Sequence, residues 1–166
     1  MSDTVVPPSV EYGSDKEPVH NPYTGEVIAS VPTVDATAIG SILQHSAPSA
    51  AFKHGVRKGN ILQVGGQVGF LPTDVAPSHT LAGPTVRAQT LQTLANVKTI
   101  LETGGATWDD VMMMRVYLTD SAHSAEFNEI YNAHFADLRE PHARATVYVG
   151  LPEGLLIEID ALAVID

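Results

Sequence analysis

The sequence predicts an α+β domain in which two helices lie on one face of a mixed β-sheet. An apolar stripe with helical spacing runs through residues 86–103, and a second one follows in residues 121–138. Strand-like runs lie before, between and after them, so the predicted order after residue 45 is β-β-α-β-α-β-β. We therefore divide the chain into an N-terminal arm, 1–45, and one domain, 46–166.

The composition argues against several classes of protein. Hydrophobic residues make up 44% of the 166 residues, enough for a core, but no apolar run reaches the roughly 18 to 20 residues of a membrane span. The net charge is −10 and the nine Lys and Arg residues are scattered, which disfavours nucleic-acid and anionic-membrane partners. The chain has no cysteine, and its N-terminus does not resemble a signal peptide. We expect a cytoplasmic protein.

The N-terminal arm differs from the rest in its many prolines and acidic residues. Residues 26–31 (EVIASV) predict a short strand, and residues 35–44 a short helix capped by Asp35. The arm either packs on the domain or on a neighbouring subunit, or it is a partly disordered tail.

The first half of the domain begins with two strands, 52–57 and 60–67, which flank a tight turn around Gly59. Gly65 and Gly66 inside the second strand indicate a bulge or a close backbone approach. A loop at 70–83 follows, long enough to be functional. The helix 86–103 ends at Gly104-Gly105.

The second half continues with a short turn at 107–110 and a strand at 111–119 (VMMMRVYLT). Ser121 or Ser124 is expected to cap the second helix, which extends to about Leu138. Its apolar face is marked by Phe127, Ile130, Tyr131, His134, Phe135 and Leu138. The sheet face without helices needs a cover, and a second copy of the chain is the usual one.

Residues 141–166 predict two strands around a turn at 150–154 (GLPEG). If these strands pair as a hairpin about Leu151 or Pro152, Arg144 lies opposite or diagonal to Glu158 on the same face. Charged residues in apolar strands require partners. Either Arg144 forms a structural ion pair with Glu158 or Asp160, or Arg144 binds a carboxylate in a site where Glu158 handles a proton or a water molecule.

Other candidate residues have two interpretations each. Phe52 lines a pocket wall or belongs to the core, and Asn128 forms a hydrogen bond at a cleft or has a structural role. Gly65 and Gly66 offer backbone N–H groups or form a bulge. The histidines His54, His79, His134 and His142 have no HxxH or HExxH spacing and no Cys partners, so no metal site is expected. His54 and His142 could serve as acid–base groups in the cleft, His79 lies on a loop over it, and His134 is an interior or interface residue.

An ordered series of segments resembles the Rid (YjgF) family of reactive-intermediate deaminases over roughly residues 47–166. The segments are 56–60 (VRKGN), 64–69 (VGGQVG), 89–98 (QTLQTLANVK), 108–111 (WDDV), 116–120 (VYLTD), 127–131 (FNEIY) with Phe135, 141–146 (PHARAT) and 157–161 (IEIDA). No single segment is decisive, but their order is specific. The resemblance does not extend to residues 1–45.

The resemblance implies a chorismate-mutase-like α+β subunit that forms a homotrimer with sites between subunits. It implies hydrolysis of 2-aminoacrylate, 2-iminobutanoate or related acids to 2-keto acids and ammonia, without a metal or organic cofactor. The carboxylate-binding arginine of the family falls on Arg144 and its water-handling glutamate on Glu158.

Three residues depart from the family pattern. Phe52 replaces a tyrosine, Gly65 replaces a serine, and Thr146 replaces a cysteine two residues after Arg144. With Gly66, Asn128 and His142, these residues form the predicted substrate-binding set. The lost hydroxyl groups predict a larger or differently shaped substrate, or a weakened activity. They leave open a trimer that binds a small ligand, or acts like a chaperone, without turnover.

Overall fold

The computed structural model describes residues 16–20, 27–32, 52–72, 76 and 79–166. Its contacts divide the chain into two units, Met1–Asp35 and Ala36–Asp166. In the first unit, strands β1 (Lys16–His20) and β2 (Val27–Pro32) form an antiparallel pair. The predicted strand at 26–31 is thus confirmed, whereas β1 was not predicted. The predicted helix at 35–44 lies outside the described residues, and the boundary at residue 45 stays a prediction.

The described residues of the second unit form a five-stranded mixed sheet and two α-helices, in the predicted order. Its elements are β3 (Gly55–Lys58), β4 (Ile61–Val68), α1 (Val86–Thr103), β5 (Val111–Leu118), α2 (Ser124–His134), β6 (Ala143–Tyr148) and β7 (Ile157–Val164). The order of strands across the sheet is β3-β4-β7-β5-β6. Only β5 and β6 run parallel among these neighbours.

The first helix has the predicted bounds, because strong local signals mark both ends. Thr85 caps α1, since its Oγ1 accepts a hydrogen bond from the backbone N–H of Ala88 at 3.1 Å. Gly104 ends the helix, and Gly105 takes a φ of 81°, which glycine adopts readily. Within the described part of the chain, no helix is long and apolar enough to cross a membrane.

The second helix is shorter than predicted and is capped differently. It ends at His134 rather than near Leu138, and no serine side chain caps it. Asp120 instead caps a short 3-10 turn, Ser121–His123, by accepting a hydrogen bond from the N–H of Ala122 at 2.8 Å. This turn takes up the residues in which we expected the helix to begin.

The predicted C-terminal hairpin is wrong, because β6 and β7 are not neighbours. Strand β5 lies between them: it pairs in parallel with β6 and antiparallel with β7. Burial explains the arrangement. Four residues of β7 are fully buried, namely Ile157, Ile159, Ala161 and Ala163, which suits a central strand. Strand β6 is exposed along most of its length, which suits an edge.

The core lies between the sheet and the helices. It contains Leu62 and Val64 of β4, Leu94 and Val97 of α1, and Phe127 of α2, all with no exposed area. The other face of the sheet, here called the open face, carries the polar side chains of Gln63, Arg115, Tyr117, Glu158 and Asp160. Because successive side chains of a strand point to opposite faces, every strand contributes side chains to both the core and the open face.

Candidate active site

Arg144 lies on the edge strand β6, on the side of the sheet that faces the helices. Its register partner in β5 is Met114, which is fully buried in the core. Because register partners in neighbouring strands share a face, the Arg144 side chain starts toward α2. The residue is nevertheless exposed, since no strand among the described residues pairs with β6 on its outer side.

Two residues of α2 hold the guanidinium of Arg144. Nη2 donates a hydrogen bond to Oδ1 of Asn128 at 2.9 Å. The guanidinium carbon lies 4.5 Å from the centroid of the Tyr131 ring, within the range of a cation–π contact. We call Arg144, Asn128 and Tyr131 the arginine site. Among the residues that the structure describes, no carboxylate lies within ion-pair distance of Arg144.

His142 extends this cluster toward the start of β6. Its Nε2 shares a hydrogen bond with the hydroxyl of Tyr131, and its buried Nδ1 has no partner among the described residues. Burial, together with the positive charge of Arg144, lowers the pKa of His142 below 6.5. Burial raises the pKa of Tyr131 to about 12. Both side chains are therefore neutral near pH 7, and Arg144 carries the positive charge of the cluster.

Glu158 lies on the open face, close to the backbone of β4. The pairing of β4 with β7 shifts between Val64 and Gln67, so Gly65 and Gly66 form the predicted bulge. The carboxylate of Glu158 occupies the space above Gly66. A β-carbon added to Gly66 would lie 1.9 Å from Oε1 of Glu158. We call Glu158, Gly65 and Gly66 the carboxylate site. The close approach explains why position 66 has no side chain.

A polar network beside Glu158 fixes a second carboxylate. Oδ1 of Asp160 accepts a hydrogen bond from Nε of Arg115 at 2.6 Å, and Oδ2 accepts one from the Tyr117 hydroxyl at 3.0 Å. These two hydrogen bonds hold the carboxylate of Asp160 in place. Burial, and then repulsion by Asp160, raises the pKa of Glu158 above its usual 4.5. A carboxylate with a raised pKa is better suited to accept a proton near neutral pH.

Arg144 and Glu158 of one chain do not share a face, which corrects the geometry expected from a hairpin. Glu158 is in register with Tyr117 of β5, whereas Arg144 is in register with Met114, which points to the opposite face. Strand β5 also lies between β6, which carries Arg144, and β7, which carries Glu158. The two strands are therefore two interstrand spacings apart, about 10 Å. The alternative of a structural ion pair between Arg144 and Glu158 or Asp160 therefore fails within one chain, and Arg115 is the cation that pairs with Asp160.

The other predicted site residues divide between these two sites. Thr146 follows Arg144 on the same side of β6 and is exposed. Phe52 lies two residues before His54, whose carbonyl accepts a hydrogen bond from the N–H of Gly65 in the carboxylate site at 2.7 Å. Phe52 is 67% exposed, so its interpretation as a core residue is wrong.

Two of the remaining histidines contact aromatic rings. The ring of His79 lies edge-on to Phe70, with centroids 5.2 Å apart, and the exposed His134 lies edge-on to Trp108 at 5.8 Å. Both contacts are of a kind that stabilises packing. Within residues 16–20, 27–32, 52–72, 76 and 79–166, no three His, Asp or Glu side chains are grouped so as to hold a metal ion.

Sequence reasoning missed the roles of Tyr131, Arg115, Tyr117 and Asp160. Tyr131 was assigned to the buried face of α2, which is correct, but its contact with Arg144 depends on a strand far along the chain. The sequence contains a pattern that indicates the network of Arg115. Arg115 and Tyr117 are two residues apart on β5, and Glu158 and Asp160 are two residues apart on β7. Side chains two residues apart on a strand share a face, so each pair lies on one face.

Comparisons with known proteins match the domain rather than the arm. A family model described as Endoribonuclease L-PSP matches residues 43–165. A RutC family protein of Saccharolobus solfataricus is 38% identical over 117 residues, which cover 70% of this chain and 88% of that protein. The crystal structure of the E. coli YjgF gene product has a TM-score of 0.63 and 31% identity, and covers 73% of this chain and 93% of its own. The crystal structure of E. coli TdcF with bound serine has a TM-score of 0.65 and 27% identity, and the match covers 75% of this chain and 95% of TdcF. The predicted α+β fold class is confirmed.

Proposed function

This chain belongs to the Rid family, whose model is described as Endoribonuclease L-PSP and which includes the YjgF and RutC proteins, and on this premise we propose that it is a hydrolytic deaminase. Its proposed substrate is the imine or enamine of a small carboxylic acid, and its products are the keto acid and ammonia.

The main support for the proposal comes from the surroundings of Arg144. The residue is exposed, its guanidinium is held by Asn128, and it has no carboxylate partner among the described residues. A guanidinium binds a carboxylate through two parallel hydrogen bonds, so Arg144 is suited to hold the acid group of a substrate. The relative TdcF was solved with bound serine, which also carries a carboxylate.

Glu158 supplies the proton transfers in the proposed reaction. The oxygen of a water molecule adds to the imine carbon while one of its protons passes to the Glu158 carboxylate. That proton then moves to the nitrogen, which gives a carbinolamine. Glu158 next transfers the proton of the new hydroxyl group to the nitrogen, the C–N bond breaks, and ammonia leaves as the C=O bond forms. Burial and the charge of Asp160 raise the pKa of Glu158, which favours this exchange. Positioning the water supplies most of the acceleration, since imines are reactive.

We propose that the pocket is completed by a second copy of the chain, in a homotrimer. Arg144 and Glu158 lie on opposite faces of one sheet, so two chains are needed to bring one of each together. The open face, which neither described helix covers, and several exposed apolar side chains are consistent with this assembly: Phe52, Val56, Ile61, Met112, Val147 and Tyr148.

A mixing experiment tests the shared pocket. Arg144→Ala and Glu158→Gln are each expected to be inactive. When they are unfolded together and refolded as mixed trimers, about one quarter of the pockets combine an intact Arg144 with an intact Glu158. Recovery of activity in the mixture supports a site between chains. Mixed trimers that remain inactive, with both parent variants correctly folded, contradict it.

A trapping assay tests the chemistry. An amino-acid oxidase generates 2-iminobutanoate, and semicarbazide traps the part that has not been hydrolysed. We expect the protein to lower the yield of trapped product, Arg144→Ala to abolish this effect, and the control Arg139→Ala, at another exposed arginine, to preserve it. An Arg144→Ala variant as fast as the wild type contradicts the proposed mechanism.

The second candidate is a protein that binds a small carboxylate without turnover. It is favoured by Phe52 and Gly65, which lack the hydroxyl groups of the tyrosine and the serine in the family pattern. In that case the keto acid binds, but the trapping assay shows no effect. We do not propose an RNA substrate, because the net charge of −10 disfavours binding to a polyanion.

A further inference from the structure

Arg144 is an exposed residue on an edge strand, yet its guanidinium is held by three contacts with α2. Nη2 bonds to Oδ1 of Asn128 at 2.9 Å, and the guanidinium carbon lies 4.5 Å from the Tyr131 ring and 5.6 Å from the Phe127 ring. An exposed arginine otherwise samples many rotamers. Contacts with a side-chain oxygen and two rings restrict it to one orientation.

The chemical nature of Asn128 is as important as its position. An amide oxygen accepts one hydrogen bond from the guanidinium without neutralising its charge. A carboxylate at the same position would form a bidentate ion pair and compete with a ligand carboxylate. Asn128 therefore orients Arg144 and leaves both its charge and its remaining N–H donors available.

Tyr131 is a rigid support for the guanidinium. The residue is only 7% exposed, and its ring packs against Phe127 and Phe135 with centroids 5.4 and 4.7 Å away. Its hydroxyl bonds to Nε2 of His142 and contacts Sδ of Met114 at 3.5 Å. A ring fixed on all sides presents its face to Arg144 in one orientation.

We propose that Asn128 and Tyr131 are positioning residues, which hold the guanidinium of Arg144 ready for a ligand carboxylate and do not themselves bind the ligand. This inference rests on the proposed function and changes the predicted role of Asn128 from a substrate contact to an indirect one. A pre-ordered arginine loses less conformational entropy when the ligand binds. The two residues thus affect the affinity for the carboxylate rather than the chemistry at the imine carbon.

The experiment compares 2-oxobutanoate binding, measured by calorimetry, with turnover in the trapping assay. Asn128→Asp is expected to weaken binding by about a hundredfold, because the new carboxylate occupies Arg144. Asn128→Ala is expected to weaken it by about fivefold, with little change in the rate at saturation. Tyr131→Leu removes the ring that faces the guanidinium and, in a variant with a wild-type melting temperature, is expected to weaken binding by about fivefold. The matched control is Asn132→Asp, which adds the same charge at an exposed residue one helical turn away.

A double-mutant cycle separates positioning from a general structural role. In the Arg144→Ala background, Asn128→Asp is expected to have no further effect, because its target is absent. If Asn128→Asp and Asn128→Ala, both with wild-type melting temperatures, bind 2-oxobutanoate as tightly as the wild type, the inference is wrong while the proposed function stands. If the Arg144→Ala variant binds 2-oxobutanoate and hydrolyses the imine as the wild type does, the proposed function is wrong, and the inference is wrong with it.

Discussion

The carboxylate of Glu158 lies directly over the backbone of Gly66, where a β-carbon would be 1.9 Å from Oε1 and 2.8 Å from Cδ. The pairing between β4 and β7 shifts at this point, and the bulge brings the glycine under the side chain. A missing side chain on one strand therefore determines where the carboxylate of another strand can lie.

Replacing Gly66 with alanine is expected to displace Glu158 and to reduce deaminase activity by about a hundredfold, the loss that a misplacement of about 1 Å can cause. The end of a glutamate side chain can rotate away, so the melting temperature should change little. The control is Gly150→Ala, whose β-carbon would meet no atom within 4 Å. Full activity of Gly66→Ala in the trapping assay would show that this close approach is unimportant.

Replacing Asp160 with asparagine is expected to lower the pKa of Glu158, because repulsion by Asp160 contributes to raising it. If ionised Glu158 is the active form, the acid limb of the kcat/KM profile moves to lower pH. Tyr117→Phe removes a hydrogen bond to Asp160 but preserves its charge, and should leave the limb nearly in place. An acid limb that moves to higher pH in Asp160→Asn contradicts the assignment.

The lowered pKa of His142 predicts a loss of stability in mild acid. Between the folded pKa and the ordinary value of 6.5, the unfolded chain binds more protons than the folded one. The free energy of unfolding therefore falls as the pH decreases below 6.5, by at most about 1.4 kcal/mol per pH unit for one group. Urea unfolding from pH 8 to pH 5 should show a weaker dependence for His142→Gln than for the wild type. Identical slopes would exclude His142 as the cause.

Two threonines of α1 are expected to be sites of stabilising substitutions. Thr90 and Thr93 are fully buried, and their hydroxyls have no hydrogen-bond partner in the described part of the chain. Thr93→Val keeps the shape and removes the unpaired polar group, which should raise the free energy of unfolding by about 1 kcal/mol. The control is Thr99→Val, because Thr99 donates a hydrogen bond to the carbonyl of Ala95 at 3.0 Å. Chemical denaturation measures both, and a destabilised Thr93→Val would contradict the prediction.

Local patterns were sufficient to predict the elements of the domain. The helix Val86–Thr103 follows from its apolar period and the glycines after it, and the bulge at Gly65-Gly66 follows from two glycines inside a strand. Each of these signals lies within a few residues of the feature it predicts. Where local signals competed, the prediction was less accurate: of several polar residues before α2, the structure uses Asp120, and for a different turn.

The two main residues of the candidate site could be predicted from the sequence, but their arrangement in space could not. Charged residues in apolar strands indicated Arg144 and Glu158, and alternation determined which neighbours share a face within each strand. Alternation does not determine which strand lies alongside, since backbone hydrogen bonds are available on both edges of every strand. The tertiary structure inserts β5 between β6 and β7, because the apolar β7 buries more surface at the centre of the sheet. This placement puts Arg144 on α2, where Asn128 and Tyr131 hold it, and Glu158 on the opposite face.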